Sequence, residues 1–396
     1  MHDILILGGG LVGNSLACAL DNSGLKVGLV EASMPAIGAP GFNERKLALS
    51  AASLMALQHL SVAQKFANGF SAIRRIHISR VGDFGCVDIL AKDYGREYFG
   101  GVVLARDLGV ALETRVAELK NLRLYRPAKV LQIEPHPASP SVLIEYEGKQ
   151  QRLSAKMIVG ADGTRSMVRA ALNIETLDFD YRQHLFVCTL QTDQVSEGTA
   201  FERFSSQGPV ALLPMPGGQY GAICGVASDE VAQVEAMNDV QYGDYFQQRF
   251  GWRAGRIKKV GARTHYPLNK VVAKEIVGPG CILMGNAAQT IHPIGAQGFN
   301  LGLRDALSFV ECLQEHDLQS TGLLSAYKES RREDREQTIA MSDGLARFTS
   351  QQGALASAMR SLGFMGLGIN KDLQMPIING AMGFRGKIPM LVRGYQ

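Results

Sequence analysis

A glycine-rich turn lies between two short apolar runs within the first thirty residues. The pieces read as strand, turn, helix and strand, at residues 4–7, Gly8-x-Gly10-x-x-Gly13, 16–20 and 27–30. This order forms a βαβ unit, whose helix N-terminus presents unpaired N–H groups to a pyrophosphate. Glu31 ends the second strand, about 20 residues after the glycines, where an acid binds the hydroxyls of an unphosphorylated ribose. The segment therefore predicts an α/β fold that binds FAD or NAD.

The size and charge of the chain limit the classes that need to be considered. At 396 residues it exceeds the length at which one hydrophobic core usually stops growing, so two lobes, or a discontinuous domain plus a smaller one, are expected. A content of 46% hydrophobic and 20% charged residues is typical of an ordered globular protein. The net charge is +4 and the basic residues are scattered, so no nucleic-acid partner is expected.

The cysteines and the apolar segments give expectations about environment. The six cysteines contain no CxxC pair and no Cys/His metal spacing, which predicts reduced thiols, a cytoplasmic location and no metal site. The N-terminus lacks the basic start and long apolar core of a signal peptide. Because no run of about 18 apolar residues occurs, membrane contact is expected only at the periphery of the inner membrane.

Two further glycine-rich segments return the chain to the first lobe. They are Gly160-Ala161-Asp162-Gly163 and residues 285–300, and each follows a short apolar strand. Between the glycine segments, alternating residues in 73–104 and 181–270 predict antiparallel strands. We therefore expect a dinucleotide-binding domain made of 1–75, 103–176 and 274–345, a substrate domain made of 76–102 and 177–273, and a C-terminal helical region at 346–396.

Neither of the later glycine segments is specific for a nucleotide by itself. Gly160 to Gly163 could be an Asp-Gly turn, with Ser166 at the start of a short helix. The third segment ends at a helix that starts near Gly298, and its Gly295 and Gly298 could present N–H groups to an anionic ring. A lone loop of this composition would be ambiguous.

Taken together, the three segments resemble those of the class A flavoprotein monooxygenases, the p-hydroxybenzoate hydroxylase type. Within that family the chain is similar to the ubiquinone-biosynthesis hydroxylases, over nearly its whole length. The residues that carry this likeness are Arg45-Lys46-Leu47-Ala48-Leu49, Phe201-Glu202-Arg203-Phe204, Gly208-Pro209 with Leu213-Pro214, and Gly285-Asn286-Ala287-Ala288-Gln289-Thr290. The resemblance implies a discontinuous Rossmann-like FAD-binding domain, a largely antiparallel substrate domain and a C-terminal helical tail. Asn286 departs from the family, most members of which have Asp there.

The resemblance also implies a set of site residues. Those expected to bind FAD are Gly8, Gly10, Gly13, Glu31, Arg45, Arg106, Asp162, Gly163, Asn286, Gly295, Gly298, Phe299 and Asn300. Those expected near the chemistry are Arg45, His292 and Pro293. Arg45 and Arg106 could instead be structural charges. A lone loop histidine is more often structural, and Pro293 is expected mainly to shape the loop.

The implied activity is hydroxylation of a polyprenylated phenol with FAD, NAD(P)H and O2, the expected substrate being 2-polyprenyl-6-methoxyphenol. No second GxGxxG segment is present for the nicotinamide donor. The alternatives are a hydroxylase of another ring position, a flavin-dependent prenyl reductase, and a non-catalytic flavoprotein scaffold. The resemblance further implies work in a multi-enzyme complex at the membrane.

Two C-terminal segments carry weaker expectations. The apolar tail at 353–390 could form an entrance for a lipid-like substrate or dock on a membrane, but core packing is the preferred interpretation. The mixed charges of residues 328–336 predict a solvated helix face, and no site is assigned to them.

Overall fold

The computed structural model of the chain describes residues 1–34, 45–205, 207–350, 353–384 and 389. The end of the expected C-terminal region, at 385–388 and 390–396, lies outside the described residues. The helices are α1 Leu11–Ala19, α2 Ala51–His59, α3 Ala105–Val116, α4 Met167–Ala171, α5 Val231–Glu235, α6 Asp239–Phe250, α7 Gln297–Glu315, α8 Thr321–Ser350, α9 Ala354–Ile369 and α10 Lys371–Ala381. The strands are β1 His2–Leu7, β2 Val27–Val30, β3 Lys46–Ser50, β4 Ser71–Ile73, β5 Arg75–Arg80, β6 Cys86–Leu90, β7 Gly100–Leu104, β8 Leu122–Tyr125, β9 Ala128–Glu134, β10 Ser141–Tyr146, β11 Lys149–Gly160, β12 Thr176–Thr192, β13 Thr199–Phe204, β14 Val210–Pro214, β15 Tyr220–Ala227, β16 Ile257–Val260, β17 Thr264–Ala273, β18 Val277–Gly278, β19 Cys281–Leu283 and β20 Gln289–Thr290.

The first sheet is a mostly parallel sheet gathered from three distant stretches of chain. Its order is β18-β19-β11-β1-β2-β8, and β10 and β9 extend it from β11. Strand β1 pairs in parallel with both β2 and β11, and β11 pairs in parallel with β19. Apolar residues fill both faces of β1, as in parallel sheets covered by helices on each side. The predicted α/β fold with a discontinuous nucleotide-binding region is confirmed.

The second sheet has the order β20-β17-β12-β15-β14-β13-β5-β6, with β16 beside β12. Its pairs are antiparallel except β13 with β5. Helix α6 covers one face, where Tyr242, Phe246 and Phe250 join the apolar residues of β12 to β15 in a buried core. We call the opposite face of this sheet the inner face.

The inner face looks toward the small sheet β3-β7-β4. A Cβ atom built on Gly221 of β15 would lie 2.8 Å from Cγ of Lys46, so the Lys46 stem covers that glycine. Ala48 and Leu213 pack in one cluster with buried Val102 and Ala200, which joins strands from both sheets. The inner face is therefore held against β3.

The charged run at 328–336 lies within α8, and the expectation of a solvated face is wrong for part of it. Arg331 and Asp334 are 0% and 1% exposed, whereas Arg332 lies at the surface. Residues 323, 327, 331, 334, 338 and 342 recur at helical spacing and are all buried. The expected domain boundary at residue 346 falls inside this helix.

The tail also departs from the preferred expectation of core packing. Phe364 and Ile378 do pack against β6 of the second sheet. However, Leu355, Met359, Leu362 and Ile369 are between 64% and 81% exposed. Helix α9 therefore presents one apolar face to the core and a second one outward. Among the described residues, no helix is both long and apolar enough to cross a bilayer.

Candidate active site

The first glycine segment lies between β1 and α1. Gly8 has a φ of +105°, and a Cβ atom at Gly13 would lie 1.9 Å from the Gly8 carbonyl oxygen, so these two glycines permit close packing of the turn. At Gly10, the N-cap of α1, a Cβ atom would meet nothing within 4 Å, and no side chain caps this helix end. The N-terminus of α1 therefore keeps its N–H groups open to an anion.

Glu31 is fixed at the end of β2 beside this turn. Its carboxylate accepts hydrogen bonds of 2.7 Å from both the Gly9 N–H and the Ser33 N–H. Arg126 forms a bidentate pair with Glu113 at 2.6 and 2.9 Å and borders Gly9. The Arg126–Glu113 pair therefore lies beside the same end of the glycine turn as Glu31. Sequence analysis missed this pair because the two residues belong to no glycine motif.

Asp162 of the second segment fits both an Asp-Gly turn and a cofactor contact. Its Oδ2 accepts hydrogen bonds from the Met167 and Val168 N–H groups at 2.7 and 3.3 Å, and Ser166 caps α4 through the Arg169 N–H. The turn chemistry is thus real. The other oxygen, Oδ1, is buried and has no hydrogen-bond partner among the described residues. A buried acceptor of this kind fits a cofactor hydroxyl, which would supply the missing donor.

The third segment is held by one buried carboxylate that the sequence analysis did not single out. Asp305 of α7 accepts hydrogen bonds from the Gly285 N–H at 3.0 Å, from Gln289 Nε2 at 2.8 Å and from Arg331 Nε at 2.7 Å. Arg331 also donates to Asp334 at 2.7 Å. A side chain twenty residues away thus fixes the loop that follows β19.

The second carboxylate of this network, Asp334, completes the pairing of two arginines. It accepts from Arg304 at 2.7 and 3.1 Å and from Thr338 at 3.2 Å. The two buried guanidinium groups hold the pKa of Asp334 near 2 against the opposing effect of burial. A buried charge cluster with these hydrogen bonds ties α7 and α8 together beneath the loop.

The remaining part of the third segment contains the other predicted residues. Asn300 is buried and bridges two elements, because its amide accepts from the Ser50 N–H at 3.0 Å and donates to the Ala48 carbonyl at 3.0 Å. Cβ atoms at Gly295 and Gly298 would meet nothing within 4 Å. Phe299 is half-buried against the main core, and Asn286 is exposed. The loop thus leaves open backbone next to β3.

His292 has a structural environment. Its ring is 2% exposed, lies edge-on to Tyr181 with centroids 4.7 Å apart, and accepts a hydrogen bond at Nδ1 from the Ile294 N–H at 3.2 Å. Burial lowers the pKa of His292 to about 4, so the ring is neutral at pH 7. Pro293 follows and precedes the turn at Gly295. The His292 ring thus holds the backbone of the loop at Ile294.

The two predicted arginines lie in different surroundings. Arg45 is exposed immediately before β3, and its positive charge acts against the burial that raises the pKa of Tyr266 on β17. It therefore lies at the junction of β3 and the second sheet. Arg106 is in the first turn of α3 and pairs with the buried Asp107 at 3.1 Å.

A trio of potential metal ligands occurs in the second sheet. Atoms of His77, Cys86 and Asp88 lie within 4.8 Å of one another. However, Asp88 already accepts hydrogen bonds from Arg75 at 2.8 Å and from His77 at 3.0 Å. An arginine on the carboxylate opposes cation binding, and the trio faces away from the glycine segments.

Comparison with known proteins identifies the family. The FAD binding domain family matches residues 1–342. The chain belongs to this family. It is an FAD-dependent aromatic monooxygenase, and FAD is its cofactor.

Relatives match along most of the chain. A ubiquinone hydroxylase, UbiL, from Rhodospirillum rubrum is 32% identical, with 99% of this chain and 92% of that protein covered. The 3-demethoxyubiquinol 3-hydroxylase of Escherichia coli is 28% identical over 78% of this chain and 79% of its own length. The fold matches p-nitrophenol 4-monooxygenase PnpA from Pseudomonas putida with a TM-score of 0.80, at 17% identity, covering 98% of this chain and 99% of the other. The chain thus belongs with the hydroxylases that include the ubiquinone enzymes.

Proposed function

We propose that this monooxygenase hydroxylates a polyprenylated phenol of ubiquinone biosynthesis, with NAD(P)H as the electron donor and 2-polyprenyl-6-methoxyphenol as the leading candidate substrate. The observation that carries the proposal is the 32% identity to a ubiquinone hydroxylase over 99% of this chain. The inner face supports it, because Ile78, Ala211, Ile223 and Val187 lie in one row across the sheet and suit an apolar phenol.

In this proposal the three segments 1–75, 103–176 and 274–345 hold FAD, and 76–102 with 177–273 face the phenol. Bound FAD supplies the reductive activation of O2. The chain's own groups bind and orient the cofactor. The pyrophosphate contacts are assigned to Gly8, Gly10 and Gly13, the ribose to Glu31, the ribityl and pyrophosphate region to Arg106, Asp162, Gly163 and Asn286, and the ring region to Arg45, Gly295, Gly298, Phe299 and Asn300.

The test is turnover of purified holoprotein with a short-chain 2-prenyl-6-methoxyphenol. We expect substrate-stimulated NAD(P)H oxidation and O2 consumption, and a product that has gained one oxygen atom by mass spectrometry. NMR of the product then identifies the ring carbon. A product that has gained two hydrogen atoms instead would indicate a prenyl reductase, and FAD binding without stimulated turnover would indicate a scaffold.

The exposed apolar face of α9 supports a peripheral membrane contact. Leu355, Met359, Leu362 and Ile369 form a contiguous helical stripe, and a substrate with a polyprenyl chain resides in the bilayer. We expect flotation of the protein with phosphatidylethanolamine/phosphatidylglycerol vesicles and its loss in Met359→Ser/Leu362→Ser. Leu177→Ser, which removes an exposed leucine from β12, is the matched control. Capture of other pathway enzymes by the same face, without flotation, would favour a multi-enzyme complex.

A further inference from the structure

One ionisable side chain lies within an otherwise apolar row of the inner face. In strand register, Glu202 of β13 is opposite Ile78 of β5 and Ala211 of β14. The row continues through Ile223 of β15 to Val187 of β12. From Ile78 to Val187 every other member of the row is aliphatic, and the polar Thr264 of β17 follows Val187. Glu202 is the only acid among these residues.

The direction of the Glu202 side chain follows from its neighbour. Phe201 packs edge-on against Phe250 of α6, with ring centroids 5.5 Å apart, and successive residues of a strand point to opposite faces. Glu202 therefore points to the inner face. Two residues along β14 on that same face, Leu213 is opposite Gly221, the glycine covered by Lys46. Glu202 thus faces the side on which β3 and the third glycine segment lie.

The row remains partly accessible although it faces inward. Ile78, Val187, Glu202 and Ile223 are all half-buried rather than buried. Asn300 ties the start of α7 to β3, the strand whose Lys46 covers Gly221, so the third segment is joined to the elements on the inner side of the sheet. A flat aromatic ring lying against this row would have one face on aliphatic carbon atoms and would contact one carboxyl group.

Among the described residues, several charged and titratable groups lie on the inner face or on elements packed against it. They include Arg80 on β5, Arg45 and Lys46 at β3, Tyr266 on β17, Arg360 on α9, Tyr94, and Lys371 and Asp372 on α10. Arg80 and Arg360 both pair with the buried Asp83. Burial raises the pKa of Glu202 to about 7, which leaves the carboxyl poised between its two protonation states.

We propose that Glu202 is the acid–base group that removes the proton from the substrate phenol and returns it after the ring has been hydroxylated. This inference rests on the proposed function. The phenol O–H bond breaks, its electron pair stays on the phenolate oxygen, and the proton forms an O–H bond on a Glu202 oxygen. After hydroxyl transfer the ring carbon releases its hydrogen as a proton to solvent, and Glu202 returns its own proton to the phenol oxygen. Glu202 ends as a carboxylate, and the step needs no oxidant beyond O2.

The size of the expected effect follows from the acidity of phenols. A phenol with a pKa near 10 is only about 0.1% ionised at pH 7. A positioned base can therefore raise the rate of hydroxylation by up to about a thousandfold over a site that depends on this small phenolate fraction. In wild-type holoprotein we expect kcat/KM to rise with pH through about 7. In Glu202→Gln we expect a loss of about a hundredfold or more at pH 7, and a rate that keeps rising toward pH 10.

A second readout does not depend on turnover. The ultraviolet absorbance of a short-chain phenol bound to the oxidised holoprotein, without electron donor, reports phenolate directly. The negative charge of ionised Glu202 beside the bound phenol should keep its phenolate midpoint above the ordinary value of about 10, and Glu202→Gln, which lacks that charge, should lower the midpoint. Glu145→Gln, on an exposed position of β10, is the matched control and should behave as wild type. Glu202→Asp keeps the negative charge, so it should retain the higher phenolate midpoint and some of the rate.

The outcomes separate this inference from the proposed function. If wild type hydroxylates the phenol and Glu202→Gln has the same pH profile and the same phenolate midpoint, the assignment of Glu202 is wrong. Should Glu202→Gln fail to fold, as shown by lost FAD and a lowered melting temperature, Glu202→Asp decides by the same spectrum. If no phenol is hydroxylated at any pH, the proposed function fails, while the phenolate midpoint still tests Glu202.

Discussion

Replacing Asp305 by Asn tests whether the third glycine segment is positioned from beneath. The change keeps the size of the side chain but removes its charge, which now serves the Gly285 N–H, Gln289 and Arg331 together. Asp334→Asn is the matched control. Asp334 is equally buried and also pairs with Arg331, but its other bonds go to Arg304 and Thr338 rather than to the loop.

The two variants should share a loss of stability and differ in cofactor affinity. Breaking a buried ion pair costs about 3–5 kcal/mol. Asp305→Asn leaves Arg331 with one of its two carboxylates, so the lower end of that range applies, whereas Asp334→Asn also removes the carboxylate of buried Arg304 and should be the less stable of the two. A hydrogen bond to a charged group contributes about 1.5–3 kcal/mol, which only Asp305→Asn removes from the loop. FAD should therefore bind about tenfold to a hundredfold more weakly to Asp305→Asn.

Two measurements decide the matter. Urea unfolding of the apoproteins gives the free energy of unfolding without the contribution of bound cofactor. Quenching of flavin fluorescence during titration gives the FAD dissociation constant. Equal weakening of FAD binding in both variants, or wild-type affinity in Asp305→Asn, would refute the inference that Asp305 positions the loop.

Other features predict further outcomes. Because burial lowers the pKa of His292 to about 4, the folded state resists its protonation, and the free energy of unfolding should fall by about 3 kcal/mol as the pH drops from 6.5 through 4. Urea titrations across that range, with His292→Asn as the variant that lacks this dependence, measure it. Asp83→Asn should lower the free energy of unfolding by about 3–5 kcal/mol, because Asp83 is the buried partner of Arg360, and limited proteolysis should then cut within α9. Gly13→Ala should abolish FAD retention, since its Cβ atom would overlap the Gly8 carbonyl; protein that keeps stoichiometric FAD through gel filtration would contradict this.

Local patterns in the sequence predicted the local elements well. The glycine turn at Gly8 and the helix expected near Gly298 both occur, the latter as α7 from Gln297. The alternation at 186–190 belongs to the much longer β12, whose outer part shows no such pattern. The pairing of β3 with β7 joins residues about fifty positions apart, and no periodicity encodes such a contact.

The site was predictable only where backbone chemistry marks it. A cluster of glycines predicts a turn from residue type alone. Asp305 and Arg331 are typical of exposed helix charges in the sequence, and only the packing of their helices brings them together. Tyr327, Arg331 and Asp334 recur at the spacing of one helix face, and this pattern could have predicted a buried face. It was missed because two of the three residues are charged. Glu202 lay within a motif used for the resemblance, yet its setting depends on which strands flank β13.

The assembly of the parallel sheet from three distant stretches has a consequence for synthesis of the protein. When the ribosome has made only the first hundred residues, β1 has β2 on one side and nothing on the other, since β11 ends at Gly160. The edge of β1 stays unpaired until then, and the loop that completes the flavin site emerges only after Cys281–Leu283. Cofactor loading is consequently a late event in the maturation of this chain, and the unpaired edge of β1 is exposed to wrong pairing only until β11 has been made.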